Sequence, residues 1–230
     1  MRIDRYGSVH AVRSQATIIQ NDVDVSNSCG FASMVMVNFK VKKHLILAGF
    51  SAGAAVSAVP IVGTFIGAQL ARAGIDAAVR SEPEVYQIYT AATGSIYDGS
   101  TPVQSVHFPT ILQRLRLGEW ERIGAGEAGA YDAIQTGIDR GCPVICNVTW
   151  NSGNGAHFVV VDEIHTIFGP TLCVCDPWDG ELRLVSAQSG QTINYDPTGF
   201  VWSFSVGGSR HSSDGGGPGK FSGWIVRKKA

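Results

Sequence analysis

The hydrophobic period changes at Pro143, and this change constrains the fold of the chain more than any other feature. Side chains of residues 144–150 alternate between two sets: Val144, Cys146, Val148 and Trp150, and Ile145, Asn147 and Thr149. A period of two is that of a β-strand. The glycine-rich residues 151–155 then predict a hairpin turn, and residues 156–162 predict the returning strand.

Strand patterns continue to the end of the chain, whereas helix patterns dominate before Pro143. Further strands are predicted at 171–178, 182–185, 201–206 and 221–226, and a short one at 16–19. Helices are predicted at 83–89, closed by Gly94, at 108–115, and at 128–139, closed by Arg140-Gly141. The order indicates an α+β fold with a helical part followed by an antiparallel sheet.

Length and charge limit the classes of function. A chain of 230 residues suits a single domain, with a helical lobe over about 20–140 and a β lobe over about 141–230. The formal net charge is −1 and no long basic block occurs, so nucleic acid is not an expected partner. Met1–Tyr6 are not followed by an apolar segment of the kind found in Sec signal peptides. We therefore expect a cytoplasmic protein, or one exported by a route without such a peptide.

One cysteine stands where a polar loop turns into an apolar helix. Asn27 or Ser28 can cap this helix, and residues 31–39 are nearly all apolar, so the helix should run through a core. Cys29 would then lie at the positive helix end, where a thiolate is favoured. Gly30, without a Cβ, would let a substrate backbone approach. A small buried cysteine at the start of a core helix is the structural alternative.

Two residues of the β half can complete a nucleophilic site around such a cysteine. His157 opens a strand directly after the glycine-rich turn, where its imidazole could act as the general base for the thiol. Asp176, followed by Pro177, ends the next strand and could orient that imidazole. Gln20, a short loop ahead of Cys29, could donate its side-chain amide to an oxyanion hole. Each residue alone has an ordinary structural explanation; the ordered set is more specific.

Several segments together resemble bacterial papain-like cysteine proteases, and the resemblance covers about half of the chain. They are Gln20, residues 27–33, 138–144, 150–160 and 175–180. The most similar branch contains plant-pathogen effector proteases and double-glycine leader peptidases. The resemblance implies a papain-like fold, in which an N-terminal helical lobe and a C-terminal antiparallel sheet enclose a cleft.

The same resemblance implies the roles of individual residues. Cys29 matches the nucleophile, His157 the general base, Asp176 the residue that orients the histidine, and Gln20 the oxyanion-hole glutamine. The implied reaction is hydrolysis of peptide bonds in a protein or peptide substrate through a thioester, with no metal and no organic cofactor. Nine positions separate Gln20 from Cys29, a longer spacing than in papain itself, and Gln15 is therefore a rival for the glutamine role.

Residues 45–75 do not fit the family pattern and suggest an insertion. From Leu45 to Ala71 no side chain is charged, and Pro60 divides the stretch into two pieces that are each too short to span a membrane. The glycine spacing is typical of closely packed helices. We expect a tightly packed helical hairpin; contact of this hairpin with lipid or a partner is an alternative that we do not favour.

Alternatives to the protease hypothesis concern the other cysteines and the reaction class. Their spacing, C-x-x-x-C at 142–146 and C-x-C at 173–175, differs from the C-x-x-C knuckle of zinc sites, so buried core cysteines are preferred over a metal site. A deamidase, transglutaminase or isopeptidase would use the same triad. In a third hypothesis the protein is membrane-active or an interaction protein that uses the hairpin.

Overall fold

A computed structural model gives the structure of this protein. It describes residues 2–4, 9–10, 18–20, 23–25, 28–42, 82–94, 103–153, 155–167, 169–178, 180–197, 203–205 and 217–230. The hairpin predicted at 45–75 lies outside the described residues. Among the residues described, no helix has the length and apolar character needed to cross a membrane.

Four α-helices are described, and each coincides with a predicted one. α1 covers 29–42, α2 Glu82–Thr93, α3 Phe108–Arg114 and α4 Gly126–Asp139; a 3₁₀ turn, Ser105–His107, leads into α3. Gly94 and Gly141 follow α2 and α4 with φ of 69° and 72°. This is the left-handed conformation that glycine adopts most readily, so both predicted helix ends are confirmed.

Twelve strands are described, more than the sequence patterns predicted. They are β1 Arg2–Asp4, β2 Val9–His10, β3 Ile18–Gln20, β4 Val23–Val25, β5 Trp120–Gly124, β6 Val144–Trp150, β7 Ala156–His165, β8 Thr171–Asp176, β9 Glu181–Ser186, β10 Asn194–Tyr195, β11 Ser203–Ser205 and β12 Gly219–Lys228. The predicted strands from 144 onward are confirmed, with small differences at their ends. The strands that were not predicted are β1, β2, β4, β5 and β10.

The main sheet is antiparallel and seven-stranded, with the order β10-β12-β6-β7-β8-β9 and β5 paired with β12. Two small sheets accompany it, β11-β1-β2 and β3-β4. β11 therefore pairs with the start of the chain. The sequence patterns suggested that it continues the series of strands in the main sheet, but it does not extend that sheet. Helices and antiparallel strands together establish the α+β class.

Both faces of the main sheet are covered, by two separate clusters of buried side chains. On one face α1, α2 and α3 pack against residues that include Ile145, Phe158 and Val160; we call this cluster the α1 core. On the other face α4 packs against residues that include Val144 and Val148; this is the α4 core. The alternation predicted for β6 is thus confirmed, since Val144, Cys146 and Val148 enter the α4 core and Ile145 enters the α1 core.

The cysteines other than Cys29 are buried within this arrangement. Cys146 belongs to the α4 core, whereas Cys173 and Cys175 belong to the α1 core, on the opposite face of the sheet. Burial raises the pKa of the Cys142, Cys146 and Cys175 thiols. Among the described residues, no group of three or more His, Cys, Asp or Glu side chains is placed to hold a metal ion.

Candidate active site

Cys29 is the first residue of α1. The N–H of Ala32 donates to the carbonyl of Ser28 over 3.0 Å, which makes Ser28 the capping position. The N–H of Cys29 therefore belongs to the first turn, where backbone donors have no partner within the helix and the helix dipole is positive. The sequence expectation of a cysteine at a helix start is confirmed. Residues 31–38 are all buried, as expected for a helix that runs through a core.

Two polar contacts fix α1 along strand β7. The Ser33 hydroxyl donates to the carbonyl of Phe158 over 3.3 Å, and the Lys40 ammonium lies 2.8 Å from a carboxylate oxygen of Asp162. From the first contact to the second, the residue numbers increase along both the helix and the strand, so α1 and β7 run in the same direction. The beginning of the helix consequently lies at the beginning of β7, which brings Cys29 to His157.

His157 is the second residue of β7 and is 2% exposed. Its Nε2 lies 2.7 Å from Oδ1 of Asp176, and the Cys29 side chain lies near enough to the ring to raise its pKa. Because Nε2 faces Asp176, Nδ1 is the ring nitrogen that remains available to Cys29. An ionised carboxylate only accepts hydrogen bonds, so Nε2 carries a hydrogen and the neutral ring presents Nδ1 to Cys29 as an acceptor.

Two tryptophans hold the imidazole ring on its sides. Trp150 stacks on His157 with ring centroids 5.6 Å apart and an interplanar angle of 17°, and Trp178 meets the ring edge-on at 6.1 Å. Trp150 comes from β6 and Trp178 follows β8. The two contacts restrict rotation of the ring.

Asp176 is fully buried and is surrounded by hydrogen-bond donors. Oδ1 accepts from His157 Nε2 and from the backbone N–H of Trp178, each at 2.7 Å. Oδ2 accepts from Arg183 Nη1 at 3.2 Å and from the hydroxyl of Tyr195. Four donors on one buried carboxylate hold it in a single orientation and favour its charged form.

The pKa values of the buried pair follow from this arrangement. Burial by itself lowers the pKa of His157, but the Asp176 carboxylate and the bonds with Asp176 and Cys29 raise it to about 10. Burial by itself raises the pKa of Asp176, but His157, Arg183 and Tyr195 lower it to about 2. The imidazole is thus prepared to hold a proton beside a permanent anion.

Cys29 differs from the other four cysteines in its environment. Its side chain is partly exposed at the edge of the α1 core, whereas the others are buried. It is also the cysteine that contacts His157. Both properties suit a nucleophile, which has to reach a substrate as well as a base.

Position 30 requires glycine for a different reason from the one expected from the sequence. The residue is buried, and a Cβ at this position would lie 2.8 Å from Cζ of Phe108 and 3.3 Å from Cβ of Val103. The absence of a side chain therefore makes room for a core phenylalanine. The prediction that Gly30 lets a substrate approach is wrong: its free side faces the protein interior.

The glutamine candidates are less defined than the other three residues. Gln20 ends β3, and its backbone pairs with that of Val23 in β4. Its side chain and the whole of Gln15 lie outside the described part of the chain. A role of Gln20 in an oxyanion hole stays a prediction.

Two residues that sequence reasoning missed contact the site. Arg183 and Tyr195 both bind Asp176, yet neither belongs to a recognisable motif. A signal for Arg183 was present: it interrupts the apolar run Leu182-Arg183-Leu184-Val185 in a predicted strand. A charged residue in such a run is rarely buried without a partner, so it indicated a buried anion nearby.

No protein-family model, curated protein or solved structure matches this chain. The chemical assignment therefore depends on geometry. The described site offers one partly exposed thiol, one imidazole and one buried carboxylate in a connected series. Such a series can generate a thiolate and can exchange a proton with a substrate, which are the requirements of acyl transfer.

Proposed function

We propose that this protein is a cysteine protease with a papain-like fold, which hydrolyses peptide bonds through a thioester on Cys29. The observation that carries the proposal is the placement of His157 beside both Cys29 and Asp176, with Nε2 on the carboxylate. The position of the thiol at the start of a buried helix supports it as well.

In the proposed reaction Cys29 reacts as the thiolate of a thiolate–imidazolium pair, with its proton held on His157. The thiolate adds to the carbonyl carbon of a peptide bond, and the negative charge develops on the carbonyl oxygen. The N–H of Cys29 lies in the first turn of α1 and can donate to this oxygen, with the Gln20 amide proposed as a second donor.

The imidazolium then gives its proton to the leaving amine, and the C–N bond breaks to leave a thioester on Cys29. Water attacks the thioester, with His157 taking a proton from the water. The products are a carboxylic acid and the free thiol, so the cycle needs no oxidant and no metal. Asp176 keeps its charge throughout and stabilises the imidazolium.

Hydrolysis is proposed over transfer to another acceptor because the resemblance of the sequence is to proteases. Deamidases, transglutaminases and isopeptidases form the same thioester and differ in the acyl donor or acceptor. A protein or peptide is therefore the proposed substrate class.

Selective labelling of the thiol tests the proposal without knowledge of the substrate. The protein is treated with an equimolar epoxide inhibitor of thiol proteases, and the labelled cysteine is located by peptide mass mapping. Wild type is compared with His157→Ala and with the matched control His165→Ala, which alters another histidine of the same strand. We expect labelling of Cys29 that falls at least tenfold in His157→Ala and is unchanged in His165→Ala.

The opposite pattern would refute the proposal. If several cysteines react slowly and equally, and His157→Ala changes nothing, Cys29 is an ordinary thiol. If labelling is selective, mass spectrometry of peptide mixtures incubated with wild type and Cys29→Ala then distinguishes hydrolysis from transfer. New peptide termini indicate hydrolysis, a mass gain of 1 Da at glutamine indicates deamidation, and cross-linked products indicate transglutamination.

A further inference from the structure

A buried arginine stands behind the carboxylate of the proposed triad. Arg183 lies on β9, is 3% exposed, and its Nη1 is 3.2 Å from Oδ2 of Asp176. Its Nε also donates to the carbonyl of Pro197 over 2.9 Å, and its Nη2 donates to the same carbonyl. The guanidinium is therefore held in one place by contacts on two sides.

Tyr195 is a second hydrogen-bond donor to the same carboxylate oxygen. Its hydroxyl donates to Oδ2 of Asp176, and its ring is buried in the α4 core, edge-on to Phe221 at 6.0 Å. The donors thus divide between the two oxygens of Asp176. Oδ2 is occupied by Arg183 and Tyr195, which leaves Oδ1 directed at His157 and the N–H of Trp178.

The charges of the cluster balance in pairs. Arg183 is permanently positive and compensates the negative Asp176, so this pair has no net charge. A proton on His157 then adds a positive charge, which a thiolate on Cys29 compensates. Among the residues described, the titratable or charged groups that act on the His157–Asp176 pair include Cys29 on α1, Cys175 on β8, Arg183 on β9 and Tyr195 on β10.

Without the arginine, the imidazolium would itself have to compensate Asp176. Its proton would then be held more tightly and be given up less readily to a leaving group. The positive charge of the arginine therefore partly cancels the effect of the carboxylate on the pKa of His157. At the same time the arginine keeps the carboxylate charged and oriented.

We propose that Arg183 and Tyr195 are positioning residues, which direct Oδ1 of Asp176 at His157 and set the pH range over which the Cys29–His157 pair exists as thiolate and imidazolium. This inference rests on the proposed function, since it gives a role to groups that do not touch the substrate.

The rate of Cys29 alkylation by iodoacetamide, followed from pH 3 to 11, measures both ends of this range. In wild type we expect one step at acid pH, where the thiolate forms, and a second at alkaline pH, where His157 loses its proton. Arg183→Met removes the charge and should move both steps to higher pH, the alkaline one by about one unit, since a unit charge within about 8 Å acts across a partly polar interior. Arg183→Lys keeps the charge and should shift the steps much less.

A merely structural role for Arg183 would lower the melting temperature of Arg183→Met without moving the steps, and that result overturns the proposal. If Arg183→Met does not fold, Tyr195→Phe decides: loss of one donor to Asp176 should shift the alkaline step upward by a few tenths of a unit, and an unshifted step in the folded variant overturns the proposal. A wild-type profile with the single step of an ordinary thiol instead refutes the proposed function, so the two failures are distinguishable.

Discussion

Asp176→Asn should destabilise the protein strongly, although the two side chains have nearly the same shape. Asp176 is fully buried and compensates Arg183, which is itself 3% exposed. The amide removes the negative charge and leaves the guanidinium buried without its counter-ion. Removal of one partner of a buried ion pair typically costs about 3–5 kcal/mol. For a chain of this length, that corresponds to a fall in melting temperature of roughly 6–20 °C.

The assay is thermal and urea unfolding followed by circular dichroism at pH 7. Asp132→Asn is the matched control, because Asp132 is exposed and bonds the Ser189 hydroxyl at 3.0 Å; its free energy of unfolding should change by less than about 0.5 kcal/mol. A double variant, Asp176→Asn with Arg183→Met, removes both charges and should recover part of the loss. The reasoning is refuted if Asp176→Asn costs less than about 1 kcal/mol, or if the two changes in the double variant simply add.

Two further predictions concern pH and the start of α1. Because the pKa of Asp176 is about 2 in the folded protein against 3.8 for a free carboxyl, the stability that it contributes is present above about pH 4 and is lost as the pH falls towards 2. The pKa of His157 is raised to about 10 from 6.5, so its contribution is complete below about pH 6.5 and declines towards pH 10; urea unfolding at a series of pH values measures both arms, and flat arms would contradict the ion pair. Gly30→Ala should reduce the free energy of unfolding by about 1–3 kcal/mol, since the new Cβ would lie 2.8 Å from a core phenylalanine; an unchanged unfolding curve would show that this core yields easily.

Features encoded over a few neighbouring residues were predicted well. The helix start at Cys29, the glycine ends of α2 and α4, and the period-two strands of the second half depend on local sequence, and the structure contains all of them. The pairing of β6, β7 and β8 also follows from short connections between adjacent strands. That pairing was enough to place His157 and Asp176 on neighbouring strands.

Features that depend on contacts between distant segments were not predicted. β5 has no clear alternation, and it becomes a strand because β12, about a hundred positions later, offers it a partner edge. Position 30 requires glycine because the ring of Phe108 on α3 packs against it. The hydrogen bonds to Oδ2 of Asp176 come from side chains on β9 and β10. No short window of sequence contains both members of such a contact.

The identity of the proposed nucleophile follows from exclusion as well as from proximity. Thiol reactivity requires access and a stabilised thiolate. Cys142, Cys146, Cys173 and Cys175 are buried, and for three of them burial raises the pKa, which opposes the thiolate. Cys29 is partly exposed, begins a helix and contacts an imidazole that is held by a buried anion. The packing therefore buries four thiols and leaves the fifth partly exposed beside the histidine. Selective modification of Cys29 is expected from this packing alone, before any property of a substrate is considered.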